Sequence, residues 1–232
     1  MKTIGLIGGI TWASTLEYYR YINLETSRRL GGSHSARIVL YSLDFHELRA
    51  HTLAGNEEGA YALFLDAAAK LRIAGAEFLV LCANTAHKRA DRLSRDTAMP
   101  LVHIGDATGV AVRNEGIRSI GLLGTQATME EGFLRERLER NFGLHVLVPG
   151  PQLREELSGL IYGEMARGVF SDAARQVVDR ATNELLKRGA QGVIHGCTEL
   201  PILMRDVVSP CTTFDTTAIH AGAAVEFSLS NP

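Results

Sequence analysis

The chain has 232 residues, of which 46% are hydrophobic, and this is enough to bury the core of one large α/β domain or two smaller ones. Its 24 Lys and Arg residues nearly balance its 26 Asp and Glu residues, for a net charge of -2. This balance gives no electrostatic basis for binding nucleic acid or an anionic membrane. We therefore expect a small-molecule ligand.

The three cysteines, Cys82, Cys197 and Cys211, are widely separated and show no CxxC spacing. A sparse, odd-numbered set argues against a disulfide scaffold and favours a reducing cytoplasm. The apolar run at the N-terminus is short and interrupted by glycines, unlike a signal peptide. No apolar run approaches the roughly 20 residues that span a bilayer, and we expect a soluble protein.

Short apolar runs alternate with longer amphipathic segments. Those predicted to be buried strands are, in chain order, "TIGLI", "ARIVLYSLD", "EFLVLC", "PLVHI", "SIGLLG", "LHVLV" and "GVIHG". Ser14 with Glu17, and Thr128 with Glu131, have the spacing of a capping box and predict helix starts there. The alternation predicts an α/β fold with parallel sheets flanked by helices.

Two strand sequences recur at similar offsets. "IGLIGG" at Ile4 recurs 116 residues later as "IGLLGT", and "GAEFLVLC" at Gly75 recurs 114 residues later as "GAQGVIHGC". The repeat predicts two pseudo-symmetric lobes with the active site in the cleft between them.

A fainter pair, "IGDATGVAV" at Ile104 and "FDTTAIHAGAAV" at Phe214, suggests that the C-terminal strand and helix pack onto one of the lobes. We therefore expect a first lobe of residues 1–98 plus 212–232 and a second lobe of residues 99–211.

Cys82 and Cys197 each end a predicted strand directly before polar residues, Asn84 and Thr85 in one case and Thr198 and Glu199 in the other. Ligands of parallel α/β sheets bind at the carboxyl ends of strands. Backbone N–H groups at the following helix start bind carboxylates and favour thiolates.

If the repeats are related by a twofold axis, the two thiols face each other. Inversion at a carbon needs such a pair, because one group removes a proton from one face while the other delivers a proton to the opposite face. A single cysteine at a strand end is more often a small core residue, but two at matched positions favour catalysis. Cys211 has no such counterpart and is predicted to be structural.

Other kinds of site fit the sequence less well. The glycine-rich turn after the first strand lacks GxGxxG, and no acidic residue follows at the required distance, so we expect no dinucleotide cofactor. We interpret the turn as part of the substrate pocket, lined by Gly9, Thr11, Trp12, Ser14 or Thr15. His87, His103 and His195 match no zinc pattern, and we expect no metal. His195 or Glu199 could tune Cys197.

The sequence resembles the aspartate/glutamate racemase family over almost its whole length. The resemblance lies in "IGLIGGITWASTLEYYR", "LCANTAHK", "IGLLGTQATME", "GCTELP" and "FDTTAIHA", in this order. It is nearest to the broad amino-acid racemase branch, and it implies a cofactor-independent enzyme that is a homodimer. It also implies that Cys82 and Cys197 are the two bases, and that Asn84, Thr85, Thr125 and Thr198 bind the substrate α-carboxylate.

One motif departs from the family. Aspartate racemases typically carry an arginine in a Pro-x-x-Arg-Thr-like loop after the second strand, and this chain has "DFHELRAH" there. His46, Arg49 or Arg167 could replace that arginine as the contact to the substrate side chain.

The sequence thus predicts a racemase that acts on aspartate or glutamate without PLP. A racemase or isomerase of neutral amino acids is the alternative within the family. A non-catalytic binding module is an alternative outside it, and a redox dithiol is a weaker one.

Overall fold

The computed structural model describes residues 1–230 and divides into two compact units. The first unit comprises Met1–His103 and the chain from His220 onward, and the second comprises Ile104–Ile219. Within the described residues, no helix is both long enough and apolar enough to cross a membrane.

The first unit is built on a three-stranded parallel sheet with the order β2-β1-β3. Its elements are β1 (Ile4–Gly8), α1 (Trp12–Leu30), β2 (Ile38–Ser42), α2 (Phe45–Leu53), α3 (Glu57–Ile73), β3 (Phe78–Leu81), a 3₁₀ turn (Thr85–Arg89) and α4 (Ala90–Thr97). β1 and β3 are completely buried, because helices cover both faces of the sheet. One face packs mainly on α2, α3 and α4, and the other on α1 and the end of the C-terminal helix.

The second unit contains a four-stranded parallel sheet with the order β5-β4-β6-β7. Its elements are α5 (Ile104–Asn114), β4 (Ser119–Leu123), α6 (Gln126–Glu130), α7 (Gly132–Phe142), β5 (His145–Leu147), α8 (Pro151–Gly163), a 3₁₀ turn (Met165–Arg167), α9 (Asp172–Lys187), β6 (Gly192–His195), α10 (Glu199–Leu203), β7 (Thr212–Asp215) and the start of α11 (Thr216–Leu229). Helices again cover both faces of the sheet.

The α/β prediction is confirmed, and the two sheets have the same connectivity as far as the repeat extends. β1, β2 and β3 correspond in order and pairing to β4, β5 and β6. The run "PLVHI" is not a regular strand, because only Leu101 makes an isolated parallel bridge, to Leu79, before α5 begins at Ile104. That bridge occupies the place beside β3 that β7 occupies beside β6.

The division of the chain differs from the expected boundaries after residues 98 and 211. β7 pairs with β6 and so belongs to the second unit, whereas Ala221, Ala224 and Val225 of α11 pack in the first. The first division also comes later, after His103, because Leu101 and Val102 are still bound to the first sheet. Residues 231 and 232 lie outside the described part of the chain.

The two predicted capping boxes do not start helices. α1 begins at Trp12 after Thr11, and Ser14 is buried within its first turn. α6 begins after Thr125, whose hydroxyl accepts the N–H of Thr128. Both helices start three residues earlier than predicted, directly where the chain leaves the strand.

Gly9 joins β1 to α1 and allows two backbone segments to meet. Its φ is +85°, and a Cβ added there would lie 2.1 Å from the carbonyl oxygen of Leu43, the residue after β2. The N–H of Leu43 also donates to the carbonyl of Gly8, with a nitrogen–oxygen distance of 3.0 Å. The missing side chain of Gly9 therefore makes room for the loop between β2 and α2.

We expect Gly9→Ala to destabilise the protein much more than Gly75→Ala. Gly75 also has a positive φ, +92°, but a Cβ there would meet no atom within 4 Å. Backbone strain alone should cost about 1 kcal/mol of unfolding free energy at Gly75. The added overlap at Gly9 should raise the cost to about 3 kcal/mol. Urea unfolding followed by circular dichroism measures both, and equal losses would contradict this account.

Candidate functional site

Cys82 follows β3 and lies in an apolar environment. Its backbone N–H donates to the carbonyl of Ile7 at 2.9 Å, which extends the pairing of β1 with β3 by one residue. Its side chain is completely buried in a cluster that includes Tyr18, Val80 and Ala221. Burial raises the pKa of the Cys82 thiol well above its ordinary value, so this thiol is neutral in the free protein.

A tight turn follows Cys82. Asn84 is buried and precedes the 3₁₀ turn that starts at Thr85, which is half-buried. The N–H of His87 donates to the carbonyl of Asn84 at 3.0 Å, and the His87 ring bonds through Nδ1 to the carbonyl of Ala83 at 2.9 Å. The backbone around the first thiol is therefore fixed by hydrogen bonds on both sides.

Cys197 packs against an apolar cluster, but its thiol also has a polar partner. It follows β6, and its thiol donates to Oε2 of Glu199 at 2.8 Å. The hydroxyl of Thr198 donates to the same oxygen, also at 2.8 Å, and Glu199 itself is buried. The pKa of the Cys197 thiol is raised well above its ordinary value, first by burial and then by the charge of Glu199 and its hydrogen bond.

Thr125 and Cys197 follow neighbouring strands of the second sheet, β4 and β6. The N–H of Gly196 donates to the carbonyl of Leu123 at 2.7 Å. A Cβ at Gly124 would lie 3.1 Å from the carbonyl oxygen of Gly196. Two glycines thus allow the turns carrying Thr125 and Cys197 to pack closely at one edge of the sheet.

The residues predicted around the first strand have different environments. The Thr15 hydroxyl is buried, accepts the N–H of Gly9 at 2.8 Å and donates to the carbonyl of Thr11 at 3.1 Å, so it stabilises the turn itself. Within residues 1–230 the hydroxyl of Thr11 has no hydrogen-bond partner and is buried at the start of α1. Trp12 is 70% exposed.

The three candidate contacts to a substrate side chain, His46, Arg49 and Arg167, are all exposed. His46 and Arg49 lie on α2, which Asp44 caps by accepting the N–H of His46 at 2.8 Å. Arg167 lies in the 3₁₀ turn of the second unit.

Histidines lie close to both thiols in sequence. His195 is buried at the end of β6, and burial lowers its pKa to about 4, so its imidazole is neutral at neutral pH. His87 and His103 pack against each other in the first unit with ring centroids 4.8 Å apart. In the part of the chain that the structure describes, no three His, Cys, Asp or Glu side chains form a group that could hold a metal ion.

Sequence reasoning missed one buried pair. The hydroxyl of Tyr18 lies 2.7 Å from Nδ1 of His220, which is on α11, 202 residues later in the chain. Only "AIHA" in an otherwise apolar helix marked His220 as unusual, and no local pattern links it to Tyr18.

The fold and these turns define an α/β protein whose strand ends carry two free thiols and hydroxyl-bearing side chains. The sequence profile of the Asp/Glu/Hydantoin racemase family matches residues 7–224. The chain therefore belongs to that family.

Solved structures resemble the whole chain. An Asp/Glu racemase candidate from Yersinia pestis is 45% identical, with 99% of this chain and 100% of that chain covered and a TM-score of 0.93. An aspartate racemase homologue from Pyrococcus horikoshii OT3 is 34% identical, with the same coverage and a TM-score of 0.86.

Among curated proteins, a glutamate racemase from Pseudomonas entomophila is 31% identical over 161 residues. The alignment covers 68% of this chain but 58% of that protein, so this chain matches less than two thirds of the relative's length.

We expect Glu199→Gln to lower the pKa of Cys197, because the charge and the hydrogen bond of Glu199 both raise it. Iodoacetamide should then alkylate Cys197 about three- to tenfold faster at pH 8, since a larger thiolate fraction outweighs lower nucleophilicity. Peptide mass spectrometry measures the rate, with Cys211 as an internal reference because its pKa is affected by burial and Ser209. Unchanged or slower alkylation relative to Cys211 would refute this assignment.

Proposed function

We propose that the protein is a PLP-independent amino-acid racemase that uses Cys82 and Cys197 as its two bases. The observation that carries the proposal is the hydrogen bond from the Cys197 thiol to Glu199 at a strand end, since this pair joins a nucleophilic sulfur to a proton acceptor. Membership of the racemase family supports the same reaction.

The proton transfers follow from the hydrogen bonds. Cys197 passes its thiol proton to Oε2 of Glu199, and the resulting thiolate removes the Cα proton from one face of the amino acid. The neutral thiol of Cys82 delivers its proton to the opposite face. Cys197 ends as a thiol, Cys82 as a thiolate and Glu199 as a carboxylic acid. The starting state returns when Glu199 releases its proton to solvent and Cys82 takes one up.

Removal of the Cα proton leaves negative charge on the substrate carboxylate, which needs fixed hydrogen-bond donors. We assign this role to Asn84, Thr85, Thr125 and Thr198, together with the backbone N–H groups of their turns. The one hydroxyl proton of Thr198, which Glu199 accepts in the free protein, turns to the substrate carboxylate when Glu199 takes the proton of Cys197. Thr11, whose hydroxyl has no partner within residues 1–230, is a further donor for the substrate.

Aspartate and glutamate are the first substrates to test, since relatives carry those names. Neutral amino acids are a second candidate, because His46, Arg49 and Arg167 are exposed and none replaces the missing arginine motif in sequence.

We further propose a cytoplasmic homodimer. Trp12, Leu16 and Tyr19 are exposed at helical spacing on α1 and offer an apolar surface to a second copy.

Replacing either Cys82 or Cys197 by alanine should reduce racemisation at least about 10³-fold, because each removal deletes one of two proton-transfer groups. Cys211→Ala is the matched control and should retain wild-type activity. Chiral chromatography and proton NMR in D2O measure the rates. Early in the wild-type reaction, deuterium should appear at Cα of the product and not of the remaining substrate. Wild-type racemisation by either single variant would disprove the two-thiol reaction.

The substrate class is tested by a panel of acidic and neutral L-amino acids. If the substrate is acidic, then at least one of His46→Gln, Arg49→Gln and Arg167→Gln should raise KM for it roughly tenfold or more, the loss expected for a hydrogen bond to a charged group. Arg72→Gln, an exposed arginine on α3, is the control. Turnover of neutral amino acids, with no change in the KM for aspartate in any of the three variants, would favour neutral amino acids as the substrate. Ligand-dependent stabilisation without Cα exchange would indicate a binding module.

A further inference from the structure

The first unit contains a cluster of three histidines that the proposed reaction does not use. His87, from the 3₁₀ turn after Cys82, packs edge-on against His103 at 4.8 Å and against His220 of α11 at 5.1 Å, measured between ring centroids. All three side chains are buried.

Hydrogen bonds fix the protonation of two of these rings. A carbonyl can only accept, so Nε2 of His220 donates to Val102, at 2.8 Å, and Nδ1 of His220 accepts the hydroxyl of Tyr18 at 2.7 Å. By the same argument Nδ1 of His87 donates to the carbonyl of Ala83. Nε2 of His87 is buried and has no hydrogen-bond partner among residues 1–230. Burial lowers the pKa of both rings, that of His220 to about 4, so both are neutral at neutral pH and these bonds define their tautomers.

His87 holds the backbone of the residues that follow Cys82. Its ring donates to the carbonyl of Ala83 and its backbone N–H donates to the carbonyl of Asn84. Cys82 is itself anchored through its N–H to β1. The direction in which the chain leaves Cys82, and with it the position of Asn84 and Thr85, depends on these bonds.

We propose that His87 is a positioning residue for Cys82 and its turn, and that it works only as a neutral imidazole inside the cluster with His103 and His220. The part that concerns catalysis rests on the proposed function of Cys82.

A proton on Nε2 of His87 would place a buried cation at an atom for which the described residues supply no hydrogen-bond acceptor. The titratable groups in ring contact with it are His103 and His220, and Tyr18 contacts His220 in turn. Burial, followed by His220 and His103, lowers the pKa of His87 well below its ordinary value. Opening the turn returns that pKa to about 6.5, so below this pH protons favour the open form and the closed turn is lost as pH falls.

The test uses His87→Asn and His87→Ala. Asparagine places an amide N–H near the position of Nδ1 but cannot be protonated, whereas alanine removes the donor. His34→Asn, an exposed histidine between α1 and β2, is the control. Accessibility of Cys82 is measured by its labelling rate with 4,4′-dithiodipyridine, which reacts in acid, using peptide mass spectrometry at pH 8 and pH 5.5. Racemisation is followed over the same range.

We expect the labelling rate of Cys82 in the wild type, divided at each pH by that of a free thiol to correct for thiolate content, to be roughly tenfold greater at pH 5.5 than at pH 8, the change for one group titrating a unit below its pKa. His87→Asn should keep activity at pH 8 and lose most of this acid response. In His87→Ala, Cys82 should be labelled rapidly at both pH values. The kcat of this variant should fall by a larger factor than its KM changes.

Three results would overturn the proposal: slow labelling and full activity of His87→Ala, equal damage by His87→Asn and His87→Ala, or an unchanged acid response in His87→Asn. If His87→Ala does not fold, His87→Asn decides alone. The expected labelling pattern in a protein that racemises nothing would refute the role of Cys82 as a base while leaving the positioning by His87 in place.

Discussion

The parallel pairing of β1 with β3, and of β4 with β6, is the constraint on which the candidate site depends. In each sheet the central strand lies beside the strand that ends in a thiol, with Ile7 opposite Leu81 and Leu123 opposite His195. Parallel strands end at the same edge, so Cys82 lies beside the turn after β1, and Cys197 lies beside the turn that carries Thr125. Without this pairing the polar turns would have no common edge.

The two thiols follow corresponding strands but have different environments. The N–H of Cys82 donates to Ile7, whereas the equivalent bond to Leu123 comes from Gly196, so Cys197 lies one residue further from its strand. Cys82 is enclosed by apolar side chains and the Tyr18 ring, and burial raises its pKa. Cys197 donates to a carboxylate that also accepts from Thr198. Two cysteines that look equivalent in the repeat thus differ in what can take up their protons. Glu199 accepts the thiol proton of Cys197, whereas Cys82 packs in an apolar cluster.

The sequence predicts the regular part of the fold well, because buried parallel strands are continuous apolar runs and each is flanked by helical patterns. It places Cys82, Cys197 and Thr125 at strand ends for the same reason. Prediction from sequence fails where tertiary contacts override a local pattern. "PLVHI" has the pattern of a strand, but only Leu101 pairs with a neighbouring strand, through one bridge to Leu79, before a helix begins at Ile104.

The sequence also misplaces two helix starts and misses one buried pair. Ser14 and Thr128 have the capping-box spacing, but Thr11 and Thr125 come first where the chain leaves each strand. The contact between Tyr18 and His220 joins positions 202 residues apart, so no periodicity could reveal it. The Glu199 hydrogen bond could be suggested from its place two residues after Cys197, but its geometry depends on how α10 begins.

Unequal thiols are compatible with the proposed racemisation. The two enantiomers have the same free energy, so the equilibrium constant is one, and kcat/KM must be equal in the two directions whatever the environments of Cys82 and Cys197. In the proposed reaction each protonation form of the free protein receives one enantiomer, and the environments of the two thiols determine which form prevails. In that reaction the carboxylate beside Cys197 and the apolar enclosure of Cys82 make kcat and KM for the two enantiomers differ by the same factor. The asymmetry of the site is thus a property of the individual constants, and the symmetry of the reaction is kept in their ratio.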